Sequence, residues 1–373
     1  MPAKNLLTKE CKEVIALDFS SSSVRVLYCG DSKPGFFSYS LAPFLLREKL
    51  PVLEGLLEVL SWVERDLGLE LQHNGHWRPS IVLVGRLVSL ELKKILSYPP
   101  LDPLMLLRRL KRLVFFARSG IVAFDNHWVS GDVDPEKVVR WLPFPLNPND
   151  LADYLFNVSL FTQTIPDTRE SLYIKQALVR ESLKQLVGKI SGRDGFYNSL
   201  NKGKSLLIGS AFSQVVSPSQ AVSIFLDGVR PRGAVFLERD LDQWLPCLLV
   251  LYCYYPKIAK KAVKYWPRNF LGTAVGLGME ANGTLILDDK TTSEFHLGEG
   301  ELFQFFVPAS KSGWLRARTR NGLSDYRVRG GEAGLIIDTR SYDLILPESF
   351  EQRKMLLDKW AGEVGARGQK SQF

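Results

Sequence analysis

The sequence predicts an α/β fold followed by a C-terminal β-rich domain, and three observations lead there. Residues 204–233 (KSLLIGSAFSQVVSPSQAVSIFLDGVRPRG) read as a strand, a tight turn and a helix: the apolar run 205–208 stops at Gly209 and Ser210, and apolar residues recur at helical spacing over 218–226. Before that stretch, β-type runs alternate with helical periods. After Asn269 the character changes, and short β-type runs separated by turn signals recur about every ten residues.

Residues 14–19, 23–28 and 36–39 are rich in β-formers and are separated by Ser-rich and Gly-Asp turns, which predicts an antiparallel three-strand meander. Leu53, Leu56, Leu57, Leu60 and Val63 then fall on one helix face. A buried-type strand is expected at 81–85, a helix over 89–96, and, after three prolines, a basic helix running through Ala117. A second strand unit is expected at 121–124 and near Trp128. Pro143, Pro145 and Pro148 bound a loop before a helix from Asp150, and Thr168 is a candidate cap for a long helix through Val187. A polar, glycine-bearing connector occupies 188–203, and one helix is expected over 241–265. The runs 272–277, 284–287, 302–307, 314–318, 326–329, 335–338 and 344–346 suggest a sandwich or barrel-like domain. A helix over 350–360 closes the chain before a polar tail. The expected division is 1–190, a first α/β subdomain; 191–269, a second α/β segment; 270–349, the β-rich domain; and 350–373, the closing helix and tail.

The chain has 373 residues, 45% hydrophobic and 24% charged, which are values of a folded globular protein. Its net charge of +8 favours acidic partners without choosing among nucleotides, nucleic acid and anionic membrane. Lysines 257, 260, 261 and 264 lie on one expected helix, and Arg316, Arg318 and Arg320 alternate along one strand face. Such runs are ordinarily solvated faces, and none is a specific nucleic-acid signal. The four cysteines form no CxxC pair and have no nearby histidine, so neither a disulfide framework nor a zinc site is expected; their apolar surroundings point to reduced thiols and the cytoplasm. The first residues lack the apolar core of a signal peptide. The apolar stretch 244–255 is broken by Pro246 and falls short of the ~20 residues that span a bilayer. It reads as a buried helix rather than a transmembrane segment, with peripheral membrane contact as the alternative.

Asp18 closes the first strand and is followed by Ser20, Ser21, Ser22 and Ser23. An acid at a strand end before a small-residue turn can hold a phosphate: amides and hydroxyls surround it while the carboxylate orients hydrated magnesium. A plain hairpin is the alternative. Asp338 and Arg340 lie two apart and share a face, which suits an ion pair or an anion contact. Gly330, Gly331 and Gly334 precede an apolar strand, as expected at a tight turn or a close strand approach. His73, His76, His127 and His296 neighbour no nucleophile and receive no role.

Several segments occur in the order of a known family: Arg140-Trp141-Leu142-Pro143, Ile165-Pro166-Asp167-Thr168, Leu207-Ile208-Gly209-Ser210, residues 225–233 (FLDGVRPRG), Leu271-Gly272-Thr273 and residues 328–340 (VRGGEAGLIIDTR). Leu346-Pro347, Arg353 and Trp360 follow. On these the chain resembles the actin-like accessory ATPase that accompanies adenosylcobalamin-dependent glutamate mutase, in a shortened and divergent form. The resemblance implies an actin-like, ribonuclease-H-like core that takes ATP and magnesium. Asp18 would orient the metal, Ser20 to Ser23 would contact phosphates, and Gly209 with Ser210 would form the adenosine-side turn. Three departures accompany it. The family has glycine where Ser20 stands, paired glycines where Gly209-Ser210 stands, and Asp-Ala-Arg-Gly-Arg-Pro where residues 338–343 read DTRSYD. Serine puts a Cβ where the backbone must approach a phosphate. The expected function is therefore an actin-like accessory or scaffold protein, a degenerate ATPase that regulates or assembles a protein partner such as a mutase-like enzyme or an envelope assembly. The alternatives are a working ATP-hydrolysing reactivating chaperone for a cobalamin-dependent mutase and a membrane-associated actin-like scaffold.

Overall fold

The computed structural model describes residues 13–18, 23–31, 33–40, 52–68, 70–73, 76–77, 80–84, 114–116, 121–124, 127–130, 133–160, 167–191, 205–209, 216–240, 242 and 244–364. The helix expected over 89–96 and the connector after Ser191 lie outside them. The described chain is mixed α/β with several sheets.

The N-terminal β-formers give β1 (Val14–Asp18), β2 (Ser23–Cys29) and β3 (Gly35–Ser40). The leucine face follows as α1 (Val52–Leu67), then the short β4 (Gln72–His73) and β5 (His76–Trp77), and β6 (Ser80–Val84). Next come β7 (Val114–Phe116), β8 (Ile121–Phe124) and β9 (His127–Ser130). A strand thus stands where the basic helix was expected to run on to Ala117; Val114, Phe115 and Phe116 are consecutive β-formers that pair on both edges. Asp134 caps the short α2 (Pro135–Val139) by accepting from the Glu136 amide at 3.0 Å, and α3 (Pro148–Leu160) begins on its proline. Thr168 caps α4 (Arg169–Ser191) as expected: its Oγ1 accepts from the Ser171 amide at 3.0 Å.

The central stretch forms β10 (Ser205–Gly209) and α5 (Pro218–Val229). Ser217 and Gln220 close a reciprocal capping box at 3.2 Å each way, a cap that stabilises by about 1 kcal/mol. After β11 (Gly233–Asp240), the expected single helix is two: α6 (Leu245–Tyr254) and α7 (Pro256–Tyr265). Pro256 has no amide to donate and pushes Tyr255 out of the helical region, to φ −134° and ψ 65°. The remaining elements are β12 (Asn269–Gly276), β13 (Ala281–Leu287), β14 (Thr292–Leu297), β15 (Leu302–Phe305), β16 (Ser312–Thr319), β17 (Gly322–Arg329), β18 (Gly334–Asp338) and α8 (Phe350–Glu363). Residues 344–346 form no strand, and β14 was not foreseen because its alternation mixes Thr, Ser, Glu and His with two apolar residues.

The chain divides into two compact units. Residues 1–109 and 242–267 form the first; residues 110–241 and 268–373 form the second. In the first, the sheet order is β3-β2-β1-β6, with β1 antiparallel to β2 and parallel to β6. Ile15, Leu17, Val24, Val26 and Tyr28 bury one face of this sheet under Val59, Leu60 and Val63 of α1. The apolar α6 also packs on β1, so that strand is covered on both sides. Lys261 of α7 donates to the carbonyls of Gly30 and Asp31 at 3.2 and 3.0 Å and ties the helix to the β2–β3 turn.

The second unit is built on the sheet β15-β18-β12-β11-β10-β7-β8-β9. Its far end repeats the arrangement of the first unit: β7, β8 and β9 form an antiparallel meander, and β10 lies parallel to β7 with β11 parallel to β10. On one face, Ala221, Val222, Phe225 and Val229 of α5 meet Ala177 and Leu183 of α4 over Val235, Leu237 and Ala274. Each fully buried large side chain there contributes about 1.5–3 kcal/mol. The other face is covered by the antiparallel sheet β14-β13-β16-β17, through Leu285, Phe295, Leu315 and Val328 against Val275, Leu335 and Ile337. The strands after Asn269 therefore serve two sheets: β12, β15 and β18 extend the large one. Gly272 and Gly334 make this joint. At φ +132°, Gly272 brings its Cα so close to β18 that a Cβ would lie 2.0 Å from the Gly334 carbonyl oxygen, and Gly334 itself turns at φ +68°.

Candidate functional site

Asp18 is the last residue of β1 and is wholly buried. Alternation puts Ile15 and Leu17 on the α1 side, so Asp18 projects to the opposite face with Val14 and Ala16. The register sets Arg25 of β2 directly across from it, and Arg25 Nη1 lies 3.4 Å from Asp18 Oδ2, both side chains at most 3% exposed. Ser23 pairs with Ser40 in the β2–β3 ladder. Ser20, Ser21 and Ser22, the residues expected to contact phosphates, lie outside the described residues, as does Ser210.

Gly209 ends β10 in the second unit, with Phe116 of β7 and Asp240 of β11 as its parallel neighbours. Asp240 is wholly buried there. Asp18 and Gly209 thus each occupy the carboxyl end of a strand that runs parallel to a neighbour, one in each unit.

A group that sequence reasoning recognised only in part lies within the second unit. Arg340 is 1% exposed and forms a fork on Asp338, Nε to Oδ1 at 3.0 Å and Nη2 to Oδ2 at 2.8 Å. Its remaining nitrogen, Nη1, donates to Asp227 Oδ1 at 2.7 Å, and its guanidinium stacks 4.5 Å from the Trp360 ring. Asp227, on α5, also accepts from Arg180 Nε of α4 at 2.7 Å. Arg230 completes the set, donating to Asp338 Oδ2 at 2.9 Å, to the Arg340 carbonyl at 2.8 Å and to the Ser341 carbonyl. Arg230 is the cap of α5 and sits at φ +52°, a conformation that glycine adopts freely and arginine does not. Its three hydrogen bonds hold it there. Burial pushes the Asp227 carboxyl up, but the charges and hydrogen bonds of Arg340 and Arg180 outweigh this and hold it below the ordinary carboxylate range. Burial opposes the charge on Arg340 too, and its two carboxylates overcome that and raise it. This is a structural lock joining α4, α5, β18 and the segment before α8. The expected Asp338–Arg340 pair is present; Asp227 and Arg180 were missed because they come from different helices and share no sequence spacing with it.

Among the described residues, no three His, Cys, Asp or Glu side chains gather as a metal site, and no helix is long and apolar enough to cross a membrane. The apolar stretch is instead α6, whose Leu245 through Leu251 are all buried. Cys29 and Cys247 are buried.

No family model, no curated protein and no solved structure matches this chain.

Proposed function

We propose that the protein is an actin-like scaffold or accessory protein whose nucleotide site has degenerated and which regulates or assembles a protein partner. What supports an actin-like, ribonuclease-H-like core is a strand order found twice: an antiparallel three-strand meander whose first strand lies parallel to a later one, β3-β2-β1-β6 and β9-β8-β7-β10. The observation that carries the degenerate reading is the buried pair of Asp18 and Arg25. A carboxylate that orients magnesium must meet the metal's charge with its own. Here a guanidinium lies at 3.4 Å in that role, and a second cation would meet repulsion in a desolvated position. Asp18 with this neighbour does not fit a magnesium ligand. Its carboxylate instead pairs with Arg25 across the β1–β2 ladder.

Titration of the full chain with magnesium-ATP by calorimetry tests this. The expected result for a site that has lost its metal is that any heat up to about 1 mM is the same in the wild type, Asp18→Ala and Gly209→Val. Binding by the wild type that is lost in both Asp18→Ala and Gly209→Val would overturn the degenerate reading in favour of a working ATPase.

A further inference from the structure

The second unit carries an open cleft of about 430 Å³, lined by Phe236, Ala309, Ser310, Lys311, Ser312, Arg327 and Arg329. Its volume lies within the ~300–1,000 Å³ of small-molecule sites. Three elements build it. Phe236 projects from β11 on the face that also carries Ala234 and Glu238. The turn leading into β16 supplies Ala309, Ser310 and Lys311, and is closed by the Lys311 amide donating to the Pro308 carbonyl at 2.9 Å. On β17, Arg327 and Arg329 are two apart and share a face, and the register sets Arg329 directly opposite Ser312. Three cations and two hydroxyls thereby converge beside one aromatic ring, with no carboxylate in the lining.

The cations differ in how firmly they are held. Lys311 Nζ meets Asp289 Oδ2 at 2.5 Å. Arg327 reaches Asp288 only at 3.4 and 3.5 Å, long for a charged hydrogen bond, while its Nη2 donates to Ser312 Oγ at 3.1 Å and Ser312 Oγ in turn donates to Asp288 Oδ2. Arg329 stacks 4.2 Å from the Phe270 ring and makes no ion pair among the described residues. A flat ring fixes the plane of that guanidinium and leaves its edge donors for an acceptor.

We infer that this cleft binds a phosphate-bearing small molecule, its phosphoryl oxygens taking hydrogen bonds from Arg329, Arg327 and the hydroxyl of Ser310. Tetrahedral oxygens accept from several directions at once, which suits donors arriving from a strand and a turn; planar carboxylates suit a single fork. Asp289 acts as an internal competitor, holding Lys311 until an anion of higher charge arrives. The site is independent of Asp18 and Gly209.

Calorimetry of the full chain with inorganic pyrophosphate, against citrate as a carboxylate anion of similar charge, reads the proposal. Pyrophosphate should bind, citrate more weakly, and Arg329→Gln should weaken pyrophosphate by about tenfold or more, the loss of a charged hydrogen bond. Asp289→Asn, which releases Lys311, should tighten it by about threefold. Asp18→Ala should leave it unchanged, so failure here and failure of the degenerate-ATPase reading are read separately. Thermal melts of each variant confirm folding. Absence of pyrophosphate binding at about 5 mM, unchanged affinity in Arg329→Gln, or citrate binding as tightly as pyrophosphate would each overturn the assignment.

Discussion

Arg340→Met should destabilise the second unit by less than Asp227→Asn does, although Arg340 makes more contacts. The lock contains three guanidiniums, of Arg180, Arg230 and Arg340, and two carboxylates, of Asp227 and Asp338. Removing one partner of a buried ion pair costs about 3–5 kcal/mol, mainly because a charge is left uncompensated. In Arg340→Met neither carboxylate is left bare: Asp227 keeps Arg180 at 2.7 Å and Asp338 keeps Arg230 at 2.9 Å. The thioether side chain also fills apolar volume beside Trp360. The cost should sit at the lower end, about 3 kcal/mol. In Asp227→Asn, three guanidiniums face one carboxylate, and the cost should reach about 5 kcal/mol, a large share of a domain's stability. Urea unfolding followed by tryptophan fluorescence and circular dichroism measures both, with the slope checked for a change in the unfolding unit. An Arg340→Met cost equal to or greater than that of Asp227→Asn would refute the charge-balance argument.

The same lock sets an acid limit. Asp227 has a depressed carboxyl, so its contribution is present above the unfolded carboxylate value of about 3.9 and is lost as pH falls below it. The urea midpoint should fall progressively as pH drops below about 5, and less steeply in Asp227→Asn. Gly272→Ala should cost about 3 kcal/mol or more, since it adds a Cβ 2.0 Å from the Gly334 oxygen at a φ alanine avoids; failure of the purified variant to show a native melt, or a large fall in its midpoint, is the expected result. Burial pushes the Cys29 thiol up to about 12 against the lowering charge of Lys261, so iodoacetamide at pH 8 should leave Cys29 unmodified in the native protein and label it in urea, read by mass spectrometry.

Local patterns alone determined much of this protein. The meander, the leucine face of α1, the Thr168 cap, the strand before Gly209, the helix after it and the buried nature of α6 follow from periodicity, capping chemistry and turn residues, which act between neighbours in the chain. Asp338 and Arg340 were legible as a pair because strand alternation puts them on one face. Tertiary structure decided the rest. Leu335, Ile336 and Ile337 form a uniformly apolar strand equally suited to a separate sandwich or to the middle of a larger sheet; the close approach of Gly272 and Gly334 placed it in the latter. Arg25 reads as an ordinary strand arginine until the β1–β2 register sets it opposite Asp18. Asp227 and Arg180 meet Arg340 only because two helices and a strand converge. Arg329 becomes a ring-stacked donor in a cleft only because β17 folds over Phe270. Partners chosen across dozens of residues leave no spacing in the chain; they are fixed by which apolar faces bury one another.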